Sequence, residues 1–225
     1  MKPAILTSLA VATLLAGCAH NPSATFQYTA ANQPEGASGY TEKPGWATQQ
    51  FAVAAANPLA TDAGYQVLKV GGSALDAAIA VQMVLTLVEP QSSGIGGGAF
   101  LLHYDGKAVE AFDGRETAPA AADENLFLKA DGQPMTFIEG VVGGRSVGVP
   151  GTVRMLELAH RHHGKLPWAQ LFAPAIALAE GGFKVSARLN TLLASETHLK
   201  KAPVAAAYFY DAQGKPWPVG HVLRD

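Results

Sequence analysis

The chain has 225 residues, 48% of them hydrophobic and 15% charged, the balance of a globular protein with room for one sizeable core or two smaller ones. Its net charge of -2 leaves no basic field to hold nucleic acid. A single cysteine excludes a disulfide framework and a cysteine-built zinc site, and 24 glycines and 14 prolines without a period exclude a collagen-like chain.

Residues 1–17 have the three parts of an export signal: Met1-Lys2, an apolar run from Ile5 to Leu15, and small residues before a cut. The run is too short for a spanning helix. Leu15-Ala16-Gly17-Cys18 resembles the bacterial lipobox, which implies cleavage before Cys18 and acylation of that residue. With Ala19 after the cysteine, the resemblance implies a lipid anchor on the periplasmic side of the envelope, the outer membrane being favoured. The alternative is an ordinary secretory signal with a chance cysteine. Residues 18–45 lack hydrophobic periodicity and read as a flexible tether, so the globular domain is expected over 46–225.

Phe51-Ala52-Val53-Ala54-Ala55 suits a buried strand. Asn57-Pro58 starts a helix, with a capping side chain ahead of a first-turn proline, and Gly71-Gly72 ends it. Ser73 with Asp76 three residues on reads as a second cap. The helix over Leu75–Val88 is apolar on nearly every face and is therefore expected to be buried, closing at Glu89-Pro90. Two close helices, one wholly buried, imply a layered fold whose other layer is a sheet. Ala99–Tyr104, Asp105-Gly106 and Ala108–Asp113 form a predicted hairpin, followed by irregular chain over 116–140. Further helices are expected from Val149-Pro150-Gly151-Thr152 to His163 and from Pro167 to Glu180, with Ser186 able to cap another. Asp211–Lys215 reads as a polar turn.

Ser92-Ser93-Gly94-Ile95-Gly96-Gly97-Gly98 is the densest glycine stretch. A buried helix precedes it and a hairpin follows, the reverse of a dinucleotide site, and it lacks a P-loop Lys-Ser/Thr. It reads as a tight turn with positive φ and close backbone approach, which can also border a pocket. Arg115, at the end of the return strand, can present its planar fork to a carboxylate or pair with Asp113 or Glu116 at the surface; spacing alone favours the surface pair. His160, His162 and His163 end a helix without sharing a face. No neighbouring carboxylate completes a shell, so no metal site is expected there, and His103 is read as packed or solvent-facing. Asp123-Glu124 reads as a solvated loop. The chain shows no Gly-x-Ser-x-Gly, no His-Glu-x-x-His and no nucleophile paired with a base.

Six runs in order resemble the γ-glutamyltransferase (glutathione hydrolase) family. They are Asn57–Ala60 with Ala63-Gly64, Gly71–Ala80, Glu89–Phe100, Asp113–Pro119, Val149–Val153, and Gly164–Trp168 through Glu180–Phe183. The resemblance covers about residues 46–190. It implies an α+β fold, the αββα sandwich of N-terminal-nucleophile hydrolases, incomplete in this chain. It also implies a precursor that cuts itself into two subunits, the new N-terminal threonine of the small subunit attacking γ-glutamyl amides such as glutathione with its own amine as base. Arg115 matches the arginine that grips the α-carboxylate of the γ-glutamyl group. The processing site and the remaining pocket residues belong to the small subunit, and Thr197-His198 lacks their context. The expectation is therefore an N-terminal portion of the large subunit, without a catalytic residue of its own or any cofactor, whose partners are γ-glutamyl compounds, the small subunit and a membrane. The alternatives are a β-lactam side-chain acylase of the same fold, or a non-catalytic lipoprotein scaffold.

Overall fold

The computed structural model describes residues 47–225. The expected signal segment over 1–17, Cys18 and the expected tether over 18–45 lie outside the described residues. Helix α1 (Pro58–Lys69) begins where Asn57 Oδ1 accepts the Leu59 N–H and Pro58 fills the first turn. It ends at Gly71, whose φ of 91° lets the amides of Gly71 and Gly72 turn back to the carbonyls of Leu68 and Val67. Helix α2 (Ala74–Val88) carries the predicted capping box: the Ser73 hydroxyl accepts the Asp76 N–H, and the Asp76 carboxylate accepts the Ser73 N–H.

Helix α2 is the centre of the molecule, packed on α1 and lying between two cores. One side places Val84 and Val88 among Ala60, Leu178, Phe183, Val185 and Leu189; the other places Leu75, Ile79 and Met83 among Phe112, Met155, Leu156 and Leu171. Burial of Leu75, Ile79, Met83, Val84 and Val88 contributes roughly 10 kcal/mol before conformational entropy is subtracted. No described helix is long and apolar enough to cross a membrane.

Strands β1 (Ala99–Tyr104) and β2 (Val109–Gly114) pair antiparallel, with Leu101 opposite Phe112 and His103 opposite Glu110. The turn is four residues long; Asp105 Oδ1 accepts the amides of Lys107 and Ala108, and Gly106 takes φ 96°. One face of the hairpin packs on α4 (Thr152–His163). The other exposes Phe100, Leu102, Tyr104 and Val109, each 64–74% accessible.

Beyond the hairpin come α3 (Phe137–Val141), α4, α5 (Ala173–Gly181), α6 (Ala187–Ser195) and α7 (Pro203–Phe209). A short ribbon joins β3 (Phe183–Lys184) to β4 (Val222–Leu223). Ser186 caps α6 as expected, its hydroxyl accepting the Leu189 N–H. Three expectations need correction. Phe51–Ala55 alternates between half-buried and exposed residues and forms no strand within the described residues; extended chain without a ladder partner is not a sheet element. The predicted helix over 167–180 divides into a 3₁₀ turn (Trp168–Phe172) and α5, because Pro174 has no N–H to give and fits only a first turn. The irregular 116–140 segment contains most of α3, whose capping box is Thr136 with Glu139.

Candidate functional site

Three backbone segments meet at the end of β2: the glycine loop 94–98, the strand exit 114–117, and the 148–152 turn into α4. The Gly97 carbonyl accepts the Gly151 N–H (3.1 Å), the Thr152 N–H (3.2 Å) and the Thr152 hydroxyl (3.0 Å). The first donors of α4 are thus occupied by a carbonyl and not left open to an anion. Thr117 and Val149 exchange a pair of hydrogen bonds beside this junction.

Glycine is required here by contact. A Cβ at Gly151 would fall 2.2 Å from the Gly114 carbonyl oxygen, one at Gly98 would fall 2.8 Å from Arg115 Cα, and one at Gly114 would fall 2.6 Å from Met155 Cβ. The expected close backbone approach is therefore present. The expected positive φ is not: none of Gly94, Gly96, Gly97 or Gly98 lies in the left-handed region. Gly96 and Gly97 also face open space among the described residues.

Arg115 stands on this junction. Its amide donates to Asp113 Oδ1 at 2.9 Å, fixing the backbone. Its side chain is 56% exposed, with one Nη 3.2 Å from Glu116 Oε2. That carboxylate oxygen makes no aligned hydrogen bond, so the contact is a charge pair. Among the described residues the guanidinium has no other acceptor, which leaves most of its donor fork facing solvent. The surface pairing with Glu116 is real, and it leaves the fork available.

Underneath the loop lies a polar cluster that the sequence reading missed. Glu89 is buried to 1%, accepts from Asn57 Nδ2 (3.1 Å) and Gln91 Nε2 (2.6 Å), and lies 3.6 Å from Arg188 Nε. Its own carbonyl accepts the amides of Ser92 and Ser93. Gln82 Nε2, on α2, donates to Ser93 Oγ at 2.9 Å and to the Gly94 carbonyl at 3.3 Å. The loop is therefore anchored to α1, α2 and α6. A carboxylate closing a largely apolar helix was the available signal, since such a group needs partners.

Cys18 lies outside the described residues. Asp123 and Glu124 are exposed, Asp123 capping its own loop through the Asn125 amide. Thr197-His198 is held by Glu196, whose carboxyl lies below its usual range because it accepts the backbone N–H groups of His198 and Leu199. His160 Nε2 bonds the Leu166 carbonyl at 2.9 Å and is structural. The expectation that no carboxylate approaches the helix-end histidines is overturned: His163 Nε2 lies 2.6 Å from Glu110 Oε2. The hairpin register brings that carboxylate across 53 residues of sequence.

The family model described as Gamma-glutamyltranspeptidase matches residues 60–225. The glutathione hydrolase proenzyme of Bacillus subtilis strain 168 is 43% identical over 173 residues, 76% of this chain and 29% of that protein. The chain thus spans less than a third of the length of such curated relatives. The crystal structure of Helicobacter pylori γ-glutamyltranspeptidase superposes with a TM-score of 0.74 at 33% identity, over 80% of this chain and 52% of that one. The Pseudomonas nitroreducens γ-glutamyltranspeptidase complexed with L-DON gives 0.70 at 34% identity, over 79% and 52%. The matched stretch begins inside α1 and takes in the glycine loop, Arg115 and α4, and the chain belongs to the γ-glutamyltranspeptidase family, of whose N-terminal-nucleophile hydrolase fold it carries a part.

Proposed function

We propose that this chain is the N-terminal portion of the large subunit of an exported γ-glutamyltransferase, in which Arg115 holds the α-carboxylate of the γ-glutamyl group. The observation that carries the proposal is the setting of Arg115: a half-exposed guanidinium on a backbone locked by Gly98, Gly114 and Gly151, with one carboxylate neighbour among the described residues and the rest of its fork open to them. A substrate carboxylate can bind two parallel N–H groups of that fork, a pairing that fixes orientation as well as charge. Glu116 keeps the guanidinium near the junction before substrate arrives.

The nucleophile in this reading is a threonine of the small subunit, outside these 225 residues. Its hydroxyl attacks the γ-carbonyl of glutathione or a similar γ-glutamyl amide and yields its proton to the threonine's own amine. The C–N bond breaks, the amine departs carrying that proton, and a γ-glutamyl ester remains until water or an amino acid takes the acyl group. Arg115 takes no part in the bond changes; it sets where the γ-carbonyl lies. The apolar outer face of the hairpin, formed by Phe100, Leu102, Tyr104 and Val109, is where the small subunit of the same precursor packs in this reading. The N-terminal signal and Cys18 supply the lipid anchor that holds the enzyme on the periplasmic side of the envelope.

The test is Arg115→Lys in the full-length protein, assayed with γ-glutamyl-p-nitroanilide. A charge-assisted hydrogen bond is worth about 1.5–3 kcal/mol, so kcat/KM should fall roughly 10- to 150-fold, with normal subunit cleavage. Unchanged kinetics would return Arg115 to a surface salt bridge.

A further inference from the structure

At the far end of the hairpin from Arg115, three elements bring together ligands that are unrelated in sequence. His103 on β1 and Glu110 on β2 are directly opposite in the antiparallel register and share the face that packs on α4. His163, the last residue of α4, places Nε2 2.6 Å from Glu110 Oε2 and stacks its ring on His103 at 3.9 Å between centroids. One ligand atom from each of the three residues lies within 4.8 Å of the others. His162 faces the second carboxylate oxygen, Nδ1 to Oε1 3.7 Å. Phe112, buried, sets its ring edge-on to both His162 and His163 at 6.1 Å and so fixes where the imidazoles sit.

We propose that His103, Glu110 and His163 form a binding site for a divalent transition-metal ion, of which Zn²⁺ is the best match. Two imidazoles and one carboxylate are borderline donors; this set suits zinc and does not suit Ca²⁺ or Mg²⁺, which take oxygen shells. Three protein ligands leave a coordination position to solvent, consistent with exposures of 24% at His163 and 45% at Glu110. Tetrahedral zinc at about 2.1 Å from its ligands spaces them roughly 3.3 Å apart. The three ligand atoms already lie within 4.8 Å of one another, so binding asks them to close by no more than about 1.5 Å. The ion replaces the hydrogen bond between His163 and Glu110 and ties the hairpin mouth to the end of α4.

The experiment is a Zn²⁺ titration of the chelator-treated, desalted full-length protein by calorimetry, repeated with Co²⁺ to read coordination from its visible absorption. Expected are one saturable site that the substitutions remove, a four- or five-coordinate Co²⁺ band, and at least tenfold weaker binding in His163→Ala and in Glu110→Gln. Glu110→Gln keeps the size and much of the polarity of an exposed side chain, so its metal-free melting temperature should match the parent's while its Zn²⁺ affinity falls. The proposal is overturned if a His103→Asn, Glu110→Gln, His163→Asn triple variant takes up as much Zn²⁺ as the parent, or if the parent shows no saturable uptake.

Discussion

Asp76 is where a single carboxylate does most to hold the described structure together. It is fully buried, and its Oδ2 accepts three backbone N–H groups: Ser73 at 2.8 Å, Lys165 at 2.9 Å and Leu166 at 3.1 Å. The first closes the cap of α2; the other two fix the loop that follows α4, some ninety residues away. Asp76→Ala removes the acceptor of all three N–H groups at once. A buried donor left unsatisfied costs about 1–3 kcal/mol, and the Lys165 side of this loop is exposed enough for water to compensate in part. Taking the lower bound for each of the two loop donors gives on the order of 2 kcal/mol, which multiplies the local opening equilibrium by about 30. Amide hydrogen exchange of the full-length protein, followed by mass spectrometry over peptides covering 160–168, reads that change directly. Asp76→Asn should lose far less, since one carbonyl oxygen can still take the Oδ2 position. Its amide group then faces His160 Nε2, which already bonds the Leu166 carbonyl. Exchange over 160–168 in Asp76→Ala that stays within threefold of the parent would refute the assignment of this loop's order to Asp76.

Two further predictions concern Glu139 and Cys18. The Glu139 carboxyl is held down to about 2 from 4.5 because it accepts the Thr136 amide and hydroxyl and pairs with Lys129. A depressed folded-state value places its contribution to the α3 cap fully above pH 4.5 and removes it as pH falls through about 2. A ¹³C carboxyl titration should therefore place the Glu139 midpoint near 2, and a midpoint near 4.5 would mean that the cap does not persist in solution. If Cys18 carries the proposed lipid anchor, Cys18→Ser abolishes metabolic labelling by palmitate in the expressing cell; persistent label would remove the lipobox reading.

Local chemistry was legible in the sequence wherever one short stretch decides the outcome. Asn57-Pro58, Ser73 with Asp76, Gly71-Gly72 and Ser186 each state a helix boundary in three or four residues, and each appears where expected. The predominant apolarity of Leu75–Val88 carried the burial of most of α2, although Ala78 stays exposed. What stayed illegible depends on register or distant partners. Glu110 meets His163 only because β2 pairs with β1 in one register and α4 ends beside it. Glu89 meets Asn57, Gln91 and Arg188 because three helices converge below the glycine loop. The glycines of that loop are dense in sequence, but the reason differs between them. Gly98 is excluded from carrying a side chain by the strand exit, while Gly96 and Gly97 meet no such obstacle. Composition alone cannot make that distinction.

The placement of Arg115 follows from a strut. Helix α4 lies against the hairpin and is fastened to it at both ends: at its start by Gly97, whose carbonyl accepts Gly151 and Thr152, and at its end by His163 on Glu110. Asp76 then ties the loop after α4 to the first turn of α2. The Arg115 backbone is held between these fastenings through Gly114 against Met155 and Gly151, whereas among the described residues its side chain makes an ion pair with Glu116 alone. A rigid backbone under a lightly held guanidinium suits a group that must first meet a ligand and then orient it. In the proposed role the Cα fixes where a substrate carboxylate would be gripped, and ordering the side chain costs at most about 2 kcal/mol of rotamer entropy, within what a bidentate pair returns. Loosening α4 at either end should therefore disturb Arg115 more than removing Glu116 does, because Glu116 restrains only the side chain.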